Sequence, residues 1–273
     1  MEIKNHRLLG ESGGQPIEFR ESANQSSGIE PTWLVMHYTA GASFESSVDW
    51  LTQRRRPGSS AHLVIGRSGE VAQLVAFNKR AWHAGISHWQ GKSSLNRYSI
   101  GIELDNAGVL HTVGGQWRTE WERHIPEDEV VEAVHKHEHA TRGWHAYTEK
   151  QLAAALAVSL LLVQKYGLRD IIGHDDISPG RKSDPGPAFP MRAFRSALYG
   201  RGDVDTSTYT AVALNIRSGP GTENPQLEGG VSPLPPGTAV TVLDADGAWR
   251  LVQVDREDGA PYEGWVHGRY LHE

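Results

Sequence analysis

Three residues of metal-ligating types lie where apolar or turn segments of the sequence end. His37 ends the apolar run Leu34–Met36. His174 follows Asp170–Gly173, and Asp184 comes ten residues after it. Two histidines and one carboxylate are typical of a catalytic zinc site, because they leave a fourth position for water. Such ligands also suit Zn²⁺ better than Mg²⁺ or Ca²⁺. The spacing alone leaves open that each histidine is an ordinary hydrogen-bonded residue.

Apolar runs bounded by turn residues predict the strands that position these groups. Thr32–Tyr38 predicts a buried strand that carries His37. Ser99–Leu104 predicts a second buried strand, with a single acid near its end. Ala61–Ile65 and Val71–Val75 flank a glycine-containing turn and predict a hairpin.

Three segments predict helices: Phe44–Gln53, Pro126–His139 and Thr148–Tyr166. The third has the clearest ends, because Thr148 is a capping residue, Gln151 completes a capping box and Gly167 stops the helix. Strands that alternate with helices predict an α/β layer architecture. The apolar face predicted for the third helix consists of Leu152, Leu156, Leu160 and Val163.

Composition excludes several classes of protein. The 273 residues carry 27 basic and 33 acidic side chains, a net charge of −6, which argues against a nucleic-acid binder with a basic face. The absence of cysteine excludes disulfides, thiolate catalysis and cysteine metal sites. The longest nearly apolar run, Leu152–Val163, is shorter than the ~20 residues of a membrane helix, so we expect no membrane span.

The chain changes character near residue 200, which predicts two domains. We expect a catalytic domain over residues 1–200, a linker over 201–206 and a small all-β domain over 207–273. In the last part, Val212–Arg217, Ala239–Leu243 and Trp249–Val254 predict short strands separated by glycine and proline turns.

Five ordered motifs carry a family resemblance. They are Leu34–Ala40, Ser60–His62, Ala81–Gly85, Asn96–Leu104 and Gly173–Gly186. Together, over about residues 30–195, they resemble the zinc-dependent N-acetylmuramoyl-L-alanine amidases, the family that includes the peptidoglycan recognition proteins. The resemblance implies an α/β fold with a mixed central β-sheet flanked by helices.

The resemblance also implies a mechanism for particular residues. It implies one catalytic Zn²⁺ held by His37, His174 and Asp184. It further implies Glu103 as the general base and Lys182 as the cation that stabilises the oxyanion.

Three more residues are candidates for substrate binding: His62, His83 and Asn96. Orienting or structural roles stay open for the two histidines, and a turn role stays open for Asn96. Some family members place a catalytic tyrosine just before the residue that is here His62, and this chain has Ala61 instead. Members without that tyrosine tend to carry the acid found here as Glu103.

Residues 107–147 resemble a family-variable insertion. Its run His135–His139 is predicted to be a solvated, charged face of the Pro126–His139 helix, and a second metal site is the less favoured alternative. The sequence does not assign its tryptophans, Trp117, Trp121 and Trp144, to the core or to the stacking of sugars.

The last part resembles bacterial SH3-type domains over about residues 207–272. The motifs are Leu214–Gly221, Pro235–Val242, Trp249 and Gly264–Leu271. Such modules often bind cell-wall peptides, which would raise the local concentration of the chain at a polymeric substrate. Trp249, Trp265 and Tyr270 are candidates for a binding groove or for the core of the barrel.

These features predict a peptidoglycan hydrolase that cleaves the bond between N-acetylmuramic acid and L-alanine, with peptidoglycan or muropeptides as its partners. The rival interpretations are a non-catalytic peptidoglycan-binding protein on the same fold, a zinc amidase or peptidase for another bond, and an interaction protein whose tail binds host peptides.

The polar N-terminus predicts that there is no standard signal peptide. We therefore expect a lytic enzyme, a phage endolysin or an antibacterial effector, made in the cytoplasm and acting on the cell wall after lysis or non-classical delivery. A wall-binding tail disfavours a cytoplasmic recycler. The sequence identifies no immunity or delivery partner.

Overall fold

The computed structural model describes residues 1–54, 56–199, 208–210, 212–228, 231–256 and 259–272. The chain divides into two compact units, Met1–Gly202 and Asp203–Glu273. The predicted linker at 201–206 lies outside the described residues. No helix among those described is long and apolar enough to cross a membrane.

Within the described residues, the first unit contains four α-helices: α1 Phe44–Thr52, α2 Glu149–Tyr166, α3 His174–Ile177 and α4 Met191–Tyr199. Its strands, in chain order, are β1 Glu2–Lys4, β2 Arg7–Leu9, β3 Glu11–Ser12, β4 Gln15–Pro16, β5 Glu18–Phe19, β6 Gln25–Ser27, β7 Trp33–Tyr38, β8 Leu63–Ile65, β9 Val71–Gln73, β10 Lys79–Ala81, β11 His88–Trp89, β12 Lys92–Ser93, β13 Ser99–Leu104, β14 Val109–Val113, β15 Gln116–Arg118, β16 Val130–Val134, β17 Thr141–His145 and β18 Asp170–Gly173.

A six-stranded mixed sheet is the scaffold of the first unit. Its strand order is β18-β7-β13-β8-β9-β5, with β18, β7, β13 and β8 parallel. β8 and β9 are antiparallel and form the predicted hairpin. The predictions of a mixed α/β fold and of the two buried strands are therefore confirmed.

The two faces of this sheet carry different apolar clusters, since side chains alternate along each strand. Leu34, Met36, Ile100 and Ile102 pack on one face with the apolar side of α2. Trp33 and Val35 face the other way and pack with residues that include Ala84 and Leu95. In the parallel register Glu103 pairs with His37, so both belong to the second face.

Helix α2 begins and ends as predicted. The Thr148 side chain accepts a hydrogen bond from the Gln151 amide, and Gly167 ends the helix in the left-handed conformation at φ 63°. The reciprocal half of the capping box is wrong, because the Gln151 side chain donates instead to the carbonyls of Ile65 and Asp105. The predicted stripe is half-buried, and the deeply buried apolar residues are Ala154, Ala155, Val158 and Leu162.

The predicted helix Pro126–His139 is wrong. A 3₁₀ turn at Glu127–Glu129 leads into β16, which pairs antiparallel with β17. Three β-branched residues, Val130, Val131 and Val134, favour extended backbone in β16, and pairing with β17 stabilises it. We call the four-stranded sheet β15-β14-β17-β16 the side sheet and residues 135–140 the histidine loop. Because this loop is not helical, His135 and His139 do not share a helical face.

The second unit is all-β, as predicted. Its strands are β19 Thr208–Thr210, β20 Ala239–Asp246, β21 Trp249–Arg256, β22 Gly259–His267 and β23 Leu271–His272, in the order β22-β21-β20-β19-β23. The predicted strand Val212–Arg217 makes only isolated bridges, at Leu214 and Arg217. Leu214, Ile216 and Val252 belong to the core of the second unit, and Tyr270 packs against that core. Trp249, Trp265 and Tyr270 are all half-buried.

Candidate metal centre

The three predicted ligands meet at the carboxyl edge of the central sheet. His37 lies near the end of β7, and His174 follows the end of the neighbouring parallel strand β18. Carboxyl ends of parallel strands share one edge of a sheet, which is where ligands bind in open α/β sheets. A backbone hydrogen bond of 2.8 Å from the Asp175 amide to the Asp184 carbonyl brings Asp184 to the same edge.

The ligand atoms of these residues converge on one point. His37 Nδ1 lies 2.9 Å from His174 Nδ1 and 2.8 Å from Asp184 Oδ2. His174 Nδ1 lies 2.9 Å from the same oxygen. The three residues are 1%, 3% and 6% exposed. Among the described residues, this is the only group of three or more histidine or acidic side chains arranged to hold a metal ion.

The proton position on His174 follows from its second ring nitrogen. His174 Nε2 lies 3.1 Å from the Ala84 carbonyl, which only accepts hydrogen bonds. Nε2 therefore carries the proton, and in the neutral ring Nδ1 presents a lone pair. Such a bond to a carbonyl is the usual way in which a metal-binding histidine is oriented.

A chain of three hydrogen bonds sets the proton position on His37. The Ser99 hydroxyl donates to the Leu95 carbonyl at 2.7 Å, so it accepts from His83 Nε2 at 3.2 Å. His83 Nδ1 then accepts from His37 Nε2 at 2.9 Å. His37 Nδ1 is consequently also a lone-pair atom.

These assignments make the donor set fit a metal cation. Two imidazole lone pairs and a carboxylate oxygen face one another in a buried site, and only a positive charge between them compensates their repulsion. Two neutral imidazoles with one carboxylate match the chemistry of zinc sites that keep a position open.

Burial and mutual contacts lower the pKa values of His37 and Asp184, each for a different reason. Burial lowers the pKa of His37 to about 4, helped by the charge of His174 and opposed by the Asp184 carboxylate. Burial alone would raise the pKa of Asp184, but the favourable interaction of the carboxylate with the protonated forms of His174 and His37 outweighs burial and holds that pKa well below its ordinary value. Neutral histidines and an ionised aspartate are the ligand forms that bind a metal.

Glu103 stands beside this cluster. Its strand β13 is paired in register with β7, so that Glu103 and His37 are direct neighbours. Its Oε2 is buried without a hydrogen-bond partner. Burial raises the pKa of Glu103 well above its ordinary value, repulsion from Asp184 raises it further, and the Lys182 charge opposes both. An acid with a raised pKa in such a site suits proton transfer.

Lys182 is an exposed side chain in the turn between His174 and Asp184. Its amide donates to the Ser178 carbonyl at 3.1 Å. Its charge lowers the pKa of His37 and of Glu103, so the ammonium group acts on the same site from the solvent side.

The structure gives the candidate substrate residues different positions. His62 is fully buried; its Nε2 donates to the Lys79 carbonyl at 2.9 Å and its Nδ1 accepts from the Gly101 amide at 3.0 Å. Both ring nitrogens are therefore used inside the fold, which is a structural role rather than a surface open to substrate. Burial lowers the pKa of His62 to about 4.

His83 and Asn96 support the metal ligands. His83 orients His37, as described above, and burial lowers its pKa well below the ordinary value. Asn96 Oδ1 accepts from the His83 amide at 3.0 Å and the Ala84 amide at 2.7 Å. Asn96 thus holds the backbone whose carbonyl, at Ala84, orients His174.

Two supporting residues escaped the sequence analysis. Ser99 ends the hydrogen-bond chain to His37, and a lone serine at the start of a strand gives no signal of that role. Gly101 lies under His83, because a Cβ at Gly101 would be 2.4 Å from Cγ of that ring. A glycine inside a buried strand signals such a close approach, so Gly101 was detectable in principle.

The tryptophans of the side sheet separate into core and surface. Trp144 is 1% exposed, and its Nε1 donates to the Ala133 carbonyl. Trp121 is 65% exposed and donates from Nε1 to the Ala40 carbonyl at 2.9 Å. Trp117 is half-buried against Gly143.

Comparison with known proteins decides the family. Residues 27–187 match the protein-family model described as N-acetylmuramoyl-L-alanine amidase. The chain belongs to this family. Residues 212–272 match the model described as bacterial SH3 domain. Both resemblances stated from the sequence are thereby confirmed, and the amidase match contains the three metal-site residues, Glu103 and Lys182.

Two of the relatives of this amidase-family chain are proteins of Escherichia coli (strain K12). The chain is 37% identical over 138 residues to 1,6-anhydro-N-acetylmuramyl-L-alanine amidase AmpD, covering 50% of this chain and 56% of that protein. It is 31% identical over 168 residues to N-acetylmuramoyl-L-alanine amidase AmiD, covering 58% of this chain and 50% of that protein. The chain thus spans about half the length of the curated relatives it matches.

A solved structure agrees with the fold. The crystal structure of a selenomethionine derivative of AmpD aligns with a TM-score of 0.51 at 26% identity, covering 72% of this chain and 99% of that chain. This match supports the mixed α/β fold of the amidase-family chain.

Proposed function

We propose that this chain is a zinc-dependent N-acetylmuramoyl-L-alanine amidase that hydrolyses the amide between the lactyl group of N-acetylmuramic acid and L-alanine of the stem peptide. The observation that carries the proposal is the buried convergence of His37 Nδ1, His174 Nδ1 and Asp184 Oδ2 beside a carboxyl group with a raised pKa. The names of the relatives AmpD and AmiD support the choice of bond.

The chain would hold zinc through His37, His174 and Asp184. When bound there, zinc supplies Lewis acidity, which activates water at neutral pH and polarises a carbonyl. Ala84 and His83 keep the two imidazoles oriented through their outer nitrogens, so both rings present Nδ1 to the site without turning over.

Glu103 is the proton carrier of the proposed reaction. Its carboxylate takes a proton from the attacking water and delivers it to the nitrogen of the L-alanine leaving group. The pKa of Glu103 is raised from that of an ordinary glutamate toward neutral pH, so its carboxyl group both accepts and returns a proton readily.

Lys182 supplies charge from the exposed side of the site. Its ammonium group would face the amide carbonyl and stabilise the negative charge that develops on that oxygen. Because the side chain is exposed, it is free to turn toward a bound substrate.

The proposal extends to the biological setting. A bacterial SH3 domain that follows the catalytic unit in the sequence would keep the chain on the cell wall by raising its local concentration there. We therefore propose peptidoglycan and its muropeptides as partners and a lytic role at the wall, as an endolysin or an antibacterial effector, after lysis or non-classical delivery.

Mass spectrometry of purified sacculi digested by the chain tests this proposal. We expect free stem peptides that begin with L-alanine, absent from the digest by Glu103→Gln. Intact sacculi with the chain bound to them would instead favour a non-catalytic binding protein. Cleavage at another bond would identify a different zinc peptidase or amidase.

A further inference from the structure

The histidine loop of the side sheet reaches the turn that begins with His174. Lys136 Nζ lies 2.8 Å from Asp175 Oδ1 and 2.5 Å from Asp176 Oδ1. His135 Nδ1 accepts from the His137 amide, so its Nε2 carries the proton and donates to Asp175 Oδ2 at 3.0 Å. His137 Nε2 donates to the Asp175 carbonyl at 3.0 Å.

Both aspartates in this contact are also hydrogen-bonded to the chain around the metal site, Asp175 through its amide and Asp176 through its side chain. The Asp175 amide donates to the carbonyl of Asp184 at 2.8 Å. Asp176 Oδ2 accepts from the amide of Gly173, the residue before His174, at 2.7 Å. A displacement of either aspartate would therefore move His174 or Asp184.

The side sheet also contacts the other end of the same segment. Trp144 is stacked on His135, with ring centroids 5.6 Å apart. Trp144 packs against Gly186, since a Cβ at that glycine would be 2.8 Å from the indole ring. The segment 173–186, which carries two of the three metal-site residues, is thus held near both ends.

Charge explains why Lys136 matters most in this contact. Asp175 is 3% exposed, and a buried carboxylate is unfavourable unless it is paired. Asp176 is its immediate neighbour, so the two negative charges repel each other. Lys136 bridges both carboxylates, whereas His135 and His137 contact Asp175 alone.

We propose that the histidine loop is a brace for the metal centre, with Lys136 as a positioning residue that keeps His174 Nδ1 and Asp184 Oδ2 convergent. The inference rests on the proposed function, because it assumes that these atoms bind zinc. It also gives the histidine-rich run a role other than a second metal site, since both ring nitrogens of His135 are already used within the protein.

The test measures zinc affinity of the full chain by competition with a chromophoric chelator. We expect Lys136→Met to weaken binding by about 10-fold or more, the effect typical of residues that orient metal ligands. Lys136→Arg keeps the bridging charge and should restore most of the affinity. Lys150→Met, an exposed lysine in the first turn of α2, is the matched control and should bind zinc as the parent does.

Two further measurements separate positioning from folding. The visible spectrum of the cobalt-substituted chain reports ligand geometry, and we expect it to change in Lys136→Met and to return in Lys136→Arg. Thermal unfolding of the metal-free variants reports stability alone. If Lys136→Met does not fold, the same measurements are made on Lys136→Gln, whose new side chain is neutral but still forms hydrogen bonds.

The outcomes separate the brace from the proposed function. A parent chain that binds no zinc would refute the metal centre itself. A parent that binds zinc, with neutral Lys136 variants that keep its affinity and cobalt spectrum, would overturn the brace alone. A variant that loses only thermal stability would overturn it too.

Discussion

The hydrogen-bond chain from Leu95 through Ser99 and His83 to His37 makes His83 the most informative residue to change. In His83→Phe the side chain stays aromatic, and slightly larger, but loses both ring nitrogens. His37 Nε2 would then lose the acceptor that lies 2.9 Å away, and His37 is only 1% exposed, so bulk water does not replace that acceptor.

The size of the effect follows from that burial. A buried donor left without an acceptor costs about 1–3 kcal/mol. Loss of an orienting partner lowers metal affinity about 10–100-fold, which equals about 1.4–2.8 kcal/mol. We therefore expect His83→Phe to lower both the free energy of unfolding of the metal-free chain and its zinc affinity.

The matched control is His62→Phe. His62 is also a buried histidine with both nitrogens bonded, but its partners are the Lys79 carbonyl and the Gly101 amide and not a metal ligand. We expect it to lower the free energy of unfolding without changing zinc affinity. Urea unfolding with a chelator present measures stability, and competition with a chromophoric chelator measures affinity. The reasoning is refuted if His83→Phe binds zinc as the parent does, or if His62→Phe weakens binding equally.

Three further predictions concern the same site. Glu103→Gln should lower kcat by about 10²–10⁴-fold, yet raise the free energy of unfolding of the metal-free chain by about 1 kcal/mol at neutral pH. Because the folded state raises the pKa of Glu103, the parent is destabilised as pH rises through that pKa. Urea unfolding should show this gain in stability at neutral pH but not at a pH below the ordinary glutamate pKa. The acid limb of the kcat/KM profile of the parent should lie above that ordinary pKa. A gain in stability that persists in acid would contradict the raised pKa of Glu103. Lys182→Met should lower kcat by about 10²-fold with zinc affinity unchanged, and a steady-state assay with unchanged kcat would remove its role. Gly101→Ala should cost about 1–3 kcal/mol and weaken zinc binding, because its Cβ would be 2.4 Å from the His83 ring; an unaltered affinity would show that the ring does not need this space.

Local patterns predicted the elements that carry the site. A nearly continuous apolar run is the pattern that a buried parallel strand needs. Thr32–Tyr38 and Ser99–Leu104 both have such a run. The caps of α2, Thr148 and Gly167, act through neighbours a few residues away. These features are local, so the sequence alone predicted them.

Long-range contacts account for what the sequence did not predict. The predicted helix Pro126–His139 is replaced by β16, which pairs with β17, and β17 in turn pairs with β14. Both partner strands lie outside the segment 126–139, so its own residues do not reveal the pairing. The Gln151 side chain likewise leaves the predicted capping box for carbonyls 86 and 46 residues away.

The roles of individual histidines depend on the same long-range contacts. His62 and His83 each lie in one of the five family motifs, yet His62 bonds only to backbone groups and His83 bonds to His37. The sequence left both roles open, and only the positions of Lys79, Gly101 and His37 distinguish them. The contact of Lys136 with Asp175 and Asp176, which are 39 and 40 residues away, leaves no mark in local patterns.

Zinc titration of the metal-free chain, with release of stem peptide from a soluble muropeptide as the readout, tests the central claim most directly. The account predicts that cleavage between the lactyl group and L-alanine rises with added zinc, saturates at one ion per chain, and is lost in His174→Ala. Full cleavage without metal, or cleavage that His174→Ala retains, would contradict a metal centre built from His37, His174 and Asp184.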